Sequence, residues 1–256
     1  MKRLAVYAKQ GIDKEHLERQ ILAEFDAEVS SAPDYVFTFG GDGTFLEAIQ
    51  EYGFDPIYIP VNMGNLGFYT SWVPNELSDL LVNFKKTEIL ELSTIKIEYE
   101  HKGVKDEYYA LNEATIVNPI KTQVLNILID DYEFEKFRGT GICLSTPTGS
   151  TAYNKSLRGA IIQSDLNLLQ VTKIAPINNR VYRSLDNSFI LGVNNQIEVR
   201  ATREEFKYST LTMDRKVVSL DDITSPGIKM CLSDRKIKIM VKDDNSFWKR
   251  VKKAFL

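Results

Sequence analysis

The sequence predicts two domains of different class, an N-terminal α/β domain with a doubly wound parallel sheet and a C-terminal all-β domain that resembles a sandwich. Three observations support this prediction. Short apolar runs alternate with helical periodicity up to about residue 98, strand-like runs with polar turns fill residues 99–241, and a basic amphipathic segment follows. We therefore expect a first domain at 1–98, a second at 99–241, and a C-terminal helix within 242–256 that returns to the first domain.

The first domain is predicted from alternating strands and helices. Strands are expected at Leu4 to Ala8, Tyr35 to Phe39 and Ile57 to Val61. Helix faces are expected at Leu17, Ile21, Leu22 and Phe25 behind the N-cap residue Asp13, at Phe45, Leu46 and Ile49, and at Leu77, Leu80, Leu81 and Phe84. Alternation of this kind predicts parallel strands, because each helix returns the chain to the starting edge of the sheet.

The second domain is predicted from short apolar runs with few helical signals. These runs are Tyr108 to Val117, Val124 to Ile129, Gly141 to Ser145, Gln196 to Ala201, Leu211 to Leu220 and Ile228 to Val241. Residues that favour tight turns interrupt or separate them, and we expect hairpin turns at Asp130-Asp131, Asp214-Arg215 and Ser233-Asp234-Arg235.

The C-terminal segment carries Phe247, Val251 and Phe255 at a spacing of four residues, and residues 245–256 contain four basic and no acidic side chains. This spacing predicts a helix with a packed apolar face and solvated lysines. A partner-binding or phosphate-facing role for its basic residues stays open.

Composition limits the classes of function. The chain has 256 residues, 32 Lys plus Arg against 35 Asp plus Glu, and a net charge of −3. Nucleic-acid and membrane-surface binders usually carry a basic excess, so neither partner is expected. Cys143 and Cys231 stand in apolar, strand-like runs without further ligands at metal-binding spacing, so we expect buried thiols and no protein metal site. The sequence has no signal-peptide pattern or membrane-spanning apolar run, so a cytoplasmic location is expected.

The glycine turn Gly40-Gly41-Asp42-Gly43-Thr44 follows a predicted strand and precedes a predicted helix. Glycines and free amides at a helix N-terminus form a cradle for phosphate. A carboxylate in such a cradle would repel phosphate, so Asp42 is expected to hold a metal or to accept a proton from a hydroxyl. The alternative is a tight turn in which Asp42 only caps the helix.

Two further clusters place polar residues beside apolar strands. The first, Asn62 to Phe68, follows the next predicted strand, so it should lie at the same sheet edge as Asp42. A plain turn with two glycines is the alternative. The second is Asn112-Glu113, which interrupts an apolar strand and is either a structural hydrogen-bond node or a pair that reads ligand hydroxyls.

The fourth cluster is the hydroxyl-rich segment Ser145 to Ser156. Its hydroxyls could contact ribose and phosphate, and Tyr153 could offer its ring to an adenine. Arg138, just upstream, is a candidate partner for a pyrophosphate. An exposed Ser/Thr loop is the alternative explanation of the segment.

Together the four clusters resemble the NAD kinase family, and the resemblance extends to Ile177-Asn178-Asn179-Arg180. The glycine turn alone is shared with diacylglycerol-type lipid kinases, whereas the Thr-Pro-Thr-Gly-Ser-Thr-Ala-Tyr segment after Asn-Glu is more specific. The resemblance implies transfer of the γ-phosphoryl group of ATP, with Mg²⁺ or another divalent cation, to the 2′-hydroxyl of the adenosine ribose of NAD. A homo-oligomer, a tetramer in particular, is also implied.

The same resemblance implies roles for individual residues. Asp42 would accept the proton of the 2′-hydroxyl. The implied substrate-binding residues are Gly41, Gly43, Thr44, Asn65, Phe68, Asn112, Glu113, Arg138, Thr140, Thr148, Thr151, Ala152, Tyr153, Asn154, Lys155, Ser156 and Ala175. Thr140 departs from the family pattern, which commonly has Asp there, so the contact normally made by that carboxylate is in question.

Two other classes of protein stay open at this stage. A lipid kinase would share the glycine turn but needs a membrane-docking surface, for which only the short basic tail qualifies. A dinucleotide-sensing module would bind NAD without turnover.

Overall fold

The chain divides into two structural units, seen in a computed structural model that describes residues 1–64, 67–221, 223–224, 227–242 and 247–256. The first unit comprises Met1–Leu92 and Lys236–Leu256, and the second comprises Ser93–Arg235. Both boundaries differ from those expected at 98 and 241. Strand pairing explains the difference. The strand Ile95–His101 pairs within the second unit, and the strand Ile237–Val241 pairs within the first.

The first stretch of the first unit alternates strands and helices. Its elements are β1 (Lys2–Ala8), α1 (Lys14–Glu24), β2 (Ala27–Val29), β3 (Tyr35–Gly40), α2 (Asp42–Tyr52), β4 (Ile57–Asn62), α3 (Leu77–Val82) and β5 (Glu88–Leu92), with short 3₁₀ turns at Pro74–Glu76 and Phe84–Lys86. Asp13 caps α1, as predicted, because its carboxylate accepts a hydrogen bond of 3.0 Å from the amide of His16. Leu17 and Ile21 are buried beneath α1, whereas Leu22 is exposed, so the buried face is narrower than predicted.

The second unit consists mainly of antiparallel strands. Its elements are β6 (Ile95–His101), β7 (Val104–Ala110), β8 (Glu113–Val117), β9 (Gln123–Ile129), β10 (Tyr132–Gly139), β11 (Gly141–Ser145), α4 (Tyr153–Ser156), β12 (Leu169–Ile174), β13 (Phe189–Leu191), β14 (Gln196–Arg200), α5 (Arg203–Phe206), β15 (Thr210–Met213), β16 (Lys216–Ser219) and β17 (Gly227–Leu232), with a 3₁₀ turn at Thr148–Thr151.

These strands form two sheets, with the orders β10-β9-β14-β17-β6-β7 and β13-β12-β11-β8-β15-β16. Both sheets contribute to one apolar core. Leu125 and Ile197 from the first sheet and Ile116 and Leu144 from the second are fully or almost fully buried in it. A core shared by two antiparallel sheets defines a β-sandwich, so the predicted class of this unit is confirmed.

Two of the three expected hairpin turns are confirmed. Asp130-Asp131 joins β9 to β10, and Asp214-Arg215 joins β15 to β16. Asp130, Asp131 and Asp214 have φ of 50°, 63° and 50°. Two-residue hairpins favour this left-handed conformation, which Asp adopts more readily than most residues.

The prediction of a hairpin turn at Ser233-Asp234-Arg235 is wrong. The strand before it, β17, pairs with β14 and β6, and the strand after it, β18 (Ile237–Val241), pairs with β4 and β5. The two strands therefore belong to different sheets, and the turn carries the chain from the second unit back to the first.

The sheet of the first unit has the order β2-β1-β3-β4-β18-β5. Its pairings are parallel except that β5 runs antiparallel to β18. Helix α6 (Phe247–Phe255) follows β18 and belongs to the same unit, where the ring of Phe255 stacks on that of Phe68 with centroids 5.5 Å apart. The predicted α/β class and the return of the C-terminal helix are both confirmed. Within the described ranges, no helix combines the length and apolar character needed to cross a membrane.

Candidate active site

The glycine turn connects β3 directly to α2 in the first unit. Gly41 is the N-cap of α2, and the first helical hydrogen bond runs from the amide of Phe45 to the carbonyl of Gly41 at 3.2 Å. The amides of Asp42, Gly43 and Thr44 precede that bond, so they are free of helical partners. A Cβ atom on Gly40 would lie 2.2 Å from Oγ1 of Thr44, which explains why this position is glycine.

The carboxylate of Asp42 holds the segment that follows Gly67. Its Oδ2 accepts a hydrogen bond of 2.8 Å from the amide of Phe68, and its Oδ1 accepts one of 3.1 Å from the amide of Tyr69. Because both oxygens bind amides outside α2, the alternative in which Asp42 only caps its own helix is wrong. A Cβ atom on Gly67 would lie 2.5 Å from Oδ1 of Asp42, so this approach requires glycine.

Burial raises the pKa of Asp42 above its usual value, and three favourable interactions partly offset this effect. They are the amides of Phe68 and Tyr69 and the positive charge of Arg250 on α6. Burial also lowers the pKa of the Arg250 guanidinium, which the charge of Asp42 opposes. A carboxylate whose pKa is raised in this way is a stronger base than one in water, and such groups are common at catalytic sites.

The Asn62 to Phe68 segment folds back on the glycine turn. The amide of Met63 donates to the carbonyl of Gly40 at 3.2 Å, and Oδ1 of Asn62 accepts a bond of 2.8 Å from the amide of Gly64. The segment therefore lies at the same sheet edge as Asp42, as predicted. Asn65 lies outside the described residues.

In the second unit, the hydroxyl-rich segment packs on the backbone of Asn112. The amide of Thr146 donates to the carbonyl of Asn112 at 3.0 Å, and its hydroxyl donates to the carbonyl of Leu111 at 2.6 Å. A Cβ atom on Gly149 would lie 2.0 Å from that Asn112 carbonyl. The structure thus brings together two clusters that are more than thirty residues apart in the sequence.

Asp214 is a residue that the sequence reasoning missed. Its carboxylate accepts hydrogen bonds from three consecutive amides, those of Leu111, Asn112 and Glu113, at 2.7, 2.7 and 3.3 Å. Burial raises its pKa to about 6, against the opposing effect of these amides. The sequence signalled only a turn at Asp214, because its partners lie about a hundred residues earlier and no local pattern links them.

Glu113 lies beside Asp214 and has an unusual charge state. Burial, with a smaller effect of the Asp214 charge, raises the pKa of Glu113 to about 8, against a hydrogen bond from the amide of Tyr153. Its Oε2 is buried and has no hydrogen-bond partner among the described residues. At neutral pH this carboxyl is mostly protonated, so it can both donate to and accept from a hydroxyl.

The hydroxyl-rich segment is not an exposed Ser/Thr loop, because Thr148 is 9% exposed and Ser150 and Asn154 are fully buried. Asn154 accepts a bond of 2.8 Å from the hydroxyl of Thr172 and donates to the carbonyl of Ala160 at 3.3 Å. Its amide group is therefore used to hold the segment itself.

The remaining predicted residues of this segment differ in exposure. Tyr153, Lys155 and Ser156 are exposed, whereas Thr151 and Ala152 are half-buried. The hydroxyl of Thr151 donates to the carbonyl of Thr148 at 3.0 Å. The exposed side chains are thus those available to a ligand, on a backbone fixed by buried hydroxyls.

Arg138, Thr140 and Ala175 lie together where β10, β11 and β12 meet. A Cβ atom on Gly139 would lie 2.7 Å from the carbonyl of Ala175, which itself has a φ of 45°. The Arg138 guanidinium lies 5.1 Å from the ring centroid of Tyr182, and its buried Nε has no partner among the described residues. The backbone of Thr140 extends the sheet, since its amide donates to the carbonyl of Ile174 at 3.0 Å.

The described residues contain no group of three or more His, Cys, Asp or Glu side chains arranged to hold a metal ion. Cys143 is buried and Cys231 is half-buried, and both are free thiols.

A strand, a glycine turn and a helix N-terminus that retains a carboxylate are features of phosphotransferases. Comparison with family models is more specific. Residues 3–89 match the ATP-NAD kinase N-terminal domain, and residues 111–218 match the ATP-NAD kinase C-terminal domain. The chain belongs to the NAD kinase family, whose reaction is the phosphorylation of NAD to NADP.

Individual relatives agree with this assignment. The chain is 40% identical over 232 residues to an NAD kinase of Streptococcus pneumoniae, covering 88% of this chain and 84% of the relative. It is 37% identical over 226 residues to NAD kinase 2 of Halalkalibacterium halodurans, covering 86% and 83%.

Two solved structures have the same fold. Yeast NADH kinase complexed with NADH superposes with a TM-score of 0.81 at 19% identity, covering 100% of this chain and 87% of that one. An NAD kinase from Archaeoglobus fulgidus in complex with ATP superposes with a TM-score of 0.78 at 22% identity, covering 99% and 97%.

The raised pKa of Glu113 predicts a pH-dependent stability. Because the folded-state pKa of about 8 lies above the ordinary value of 4.5, Glu113 destabilises the fold increasingly as pH rises from about 4.5 to 8. We expect Glu113→Gln to increase the free energy of unfolding at pH 8 and to change it little at pH 4. Urea unfolding at both pH values, with exposed Glu133→Gln as control, measures this. An equal change in the free energy of unfolding at both pH values would contradict a raised pKa for Glu113.

The contact at Gly149 predicts a packing defect. The Cβ atom of Gly149→Ala would meet a backbone carbonyl rather than a movable side chain, so we expect a loss of roughly 1 to 3 kcal/mol in the free energy of unfolding. Gly64→Ala is the matched control, because its Cβ atom would meet nothing within 4 Å. Thermal or urea unfolding of both variants measures the difference in stability between them. Similar stabilities would show that position 149 does not require glycine.

Proposed function

We propose that Asp42 is the general base that accepts the proton of the 2′-hydroxyl of the adenosine ribose of NAD while the γ-phosphoryl group of ATP is transferred to that oxygen, giving NADP. The observation that carries this proposal is the position of its carboxylate, at a helix N-terminus with free amides. A ribose hydroxyl is a weak nucleophile, and a positioned base typically accelerates its reaction about 10² to 10⁴ times.

The hydrogen bonds of Asp42 support this role. The amides of Phe68 and Tyr69 fix the carboxylate without neutralising it, and burial favours proton uptake. The base is thus held in one orientation before substrate arrives, so little reorganisation is needed during transfer. Protonated Asp42 is the product of this step, and it returns its proton to solvent between turnovers.

ATP is the proposed donor. The amides of Asp42, Gly43 and Thr44 offer a cradle for its phosphates, and Gly41 keeps the approach open. Mg²⁺ or another divalent cation would arrive with ATP, since the described residues hold no metal cluster of their own. When bound, that cation neutralises charge on the donor phosphates.

The proposed acceptor contacts lie in the second unit. The protonated carboxyl of Glu113 and the side chain of Asn112 would form hydrogen bonds with hydroxyls of NAD. Arg138 would face the NAD diphosphate. Tyr153 offers an exposed ring to the adenine end. The other proposed contacts are Asn65, Phe68, Thr140, Thr148, Thr151, Ala152, Asn154, Lys155, Ser156 and Ala175.

A cytoplasmic homo-oligomer, a tetramer, is the proposed working form. Free thiols are consistent with a reducing compartment. At the edges of the sandwich, Tyr132 and Phe134 on β10 and Ile190 on β13 are exposed apolar side chains. Exposed apolar edge strands favour contact with a further copy of the chain.

Replacing the base tests the proposed chemistry. Asp42→Asn keeps the shape of the side chain but cannot accept the proton, so we expect NADP formation from NAD and MgATP to fall about 10² to 10⁴ times. NAD binding, measured by calorimetry, should stay largely intact. Exposed Asp55→Asn is the control. Near-normal turnover by Asp42→Asn would remove the proposed role.

The oligomer is tested by light scattering on the purified chain. We expect a mass four times that of the chain, and we expect Ile190→Lys on β13 to lower it, because a charge at an apolar contact is costly to bury. Val82→Lys, at an 81% exposed site in the first unit, is the control. A monomeric wild-type chain would contradict the proposal.

A further inference from the structure

Arg250 on α6 is a half-buried cation with two buried donor atoms. Its Nε and Nη1 atoms are buried and have no hydrogen-bond partner among the described residues. A guanidinium remains charged in proteins, and leaving its donors unpaired in the interior is costly. Two buried donors without a partner among the described residues therefore point to an anion that pairs with this guanidinium.

The surroundings of Arg250 indicate where that anion lies. Arg250 follows Phe247 by three residues, so the two share a side of α6. The rings of Phe247 and Phe255 lie 6.5 and 5.5 Å from the ring of Phe68, whose amide binds Asp42. The helix is thus anchored on the segment that orients the proposed base.

The charges of Arg250 and Asp42 act on each other. Its charge stabilises the ionised form of Asp42, and the charge of Asp42 opposes the effect of burial on the Arg250 pKa. The carboxylate oxygens, however, take their hydrogen bonds from the amides of Phe68 and Tyr69. Asp42 therefore lies within electrostatic range of Arg250 but takes its hydrogen bonds from other donors.

We propose that the guanidinium of Arg250 binds the γ-phosphate of ATP and stabilises the charge that develops there during transfer. Planar guanidinium donors match two phosphate oxygens, and such contacts strengthen as negative charge accumulates on the phosphoryl group. The inference rests on the proposed function, and it assigns to the C-terminal helix a part of the donor site that faces the base.

The proposal separates Arg250 from the other basic residues of α6. Lys252 and Lys253 are exposed and lie in the last turn, where a positive charge is favourable to the helix in any case. The basic character of the tail alone is thus a surface property. The functional cation is the one whose donors are buried.

The test compares Arg250→Met, Arg250→Lys and the surface control Lys253→Met. With wild-type protein as reference, we expect Arg250→Met to lower kcat at least tenfold and to lose the preference for binding ATP over ADP, measured by calorimetry without NAD. Arg250→Lys should recover part of both, and Lys253→Met should match wild type. Thermal unfolding checks that each variant is folded.

The outcomes distinguish this inference from its alternatives. If Arg250→Met acts only through Asp42, its activity returns to the wild-type level at high pH and its preference for ATP over ADP is kept, which would overturn the phosphate contact. Wild-type kcat in Arg250→Met would also overturn it. A wild-type chain that makes no NADP contradicts the proposed function instead, while the comparison of ATP with ADP binding still tests Arg250.

Discussion

The insertion of β18 between β4 and β5 is the constraint on which the first unit depends. Ile237, Ile239 and Met240 are almost fully buried there, and the indole N–H of Trp72 donates to the carbonyl of Met240 at 3.2 Å. The sheet therefore combines strands from both ends of the chain, and the whole second unit is an insertion between them. Closing so long a loop adds only a slowly growing entropic cost, which burial of these apolar side chains can offset.

The return of β18 also sets the position of α6, and hence the electrostatic environment of Asp42. Among the described residues, Arg250 on that helix adds to the amides of Phe68 and Tyr69 in favouring the ionised carboxylate. The cation that assists them comes from the far end of the sequence. The two carboxyls of the second unit differ. Asp214 accepts hydrogen bonds from three backbone amides, whereas Glu113 beside it has a raised pKa and a buried oxygen without a partner among the described residues. Asp214 organises the backbone, and Glu113 is the proposed ligand contact.

Local features could be predicted from the sequence, whereas features that depend on distant partners could not. The glycine turn at Asp42 and the hairpin at Asp130-Asp131 are each encoded within a few residues, by glycines before a helical pattern and by Asp in a two-residue turn. The role of Asp214 depends on amides about a hundred residues away. The turn at Ser233 has the composition of a hairpin, and only the pairing of β18 with β4 and β5 reveals that it links two sheets.

A net charge of −3 is compatible with substrates that are themselves anionic. The first 98 residues carry 8 basic and 16 acidic side chains, yet they contain the glycine turn proposed to hold ATP. Exposed charges are screened by salt, whereas buried donors act in a medium of lower dielectric constant. A few oriented amides and a single half-buried guanidinium can therefore outweigh many surface carboxylates at the proposed phosphate site. The average charge argues against a broad basic surface of the kind that binds nucleic acids, but it says little about a local anion site.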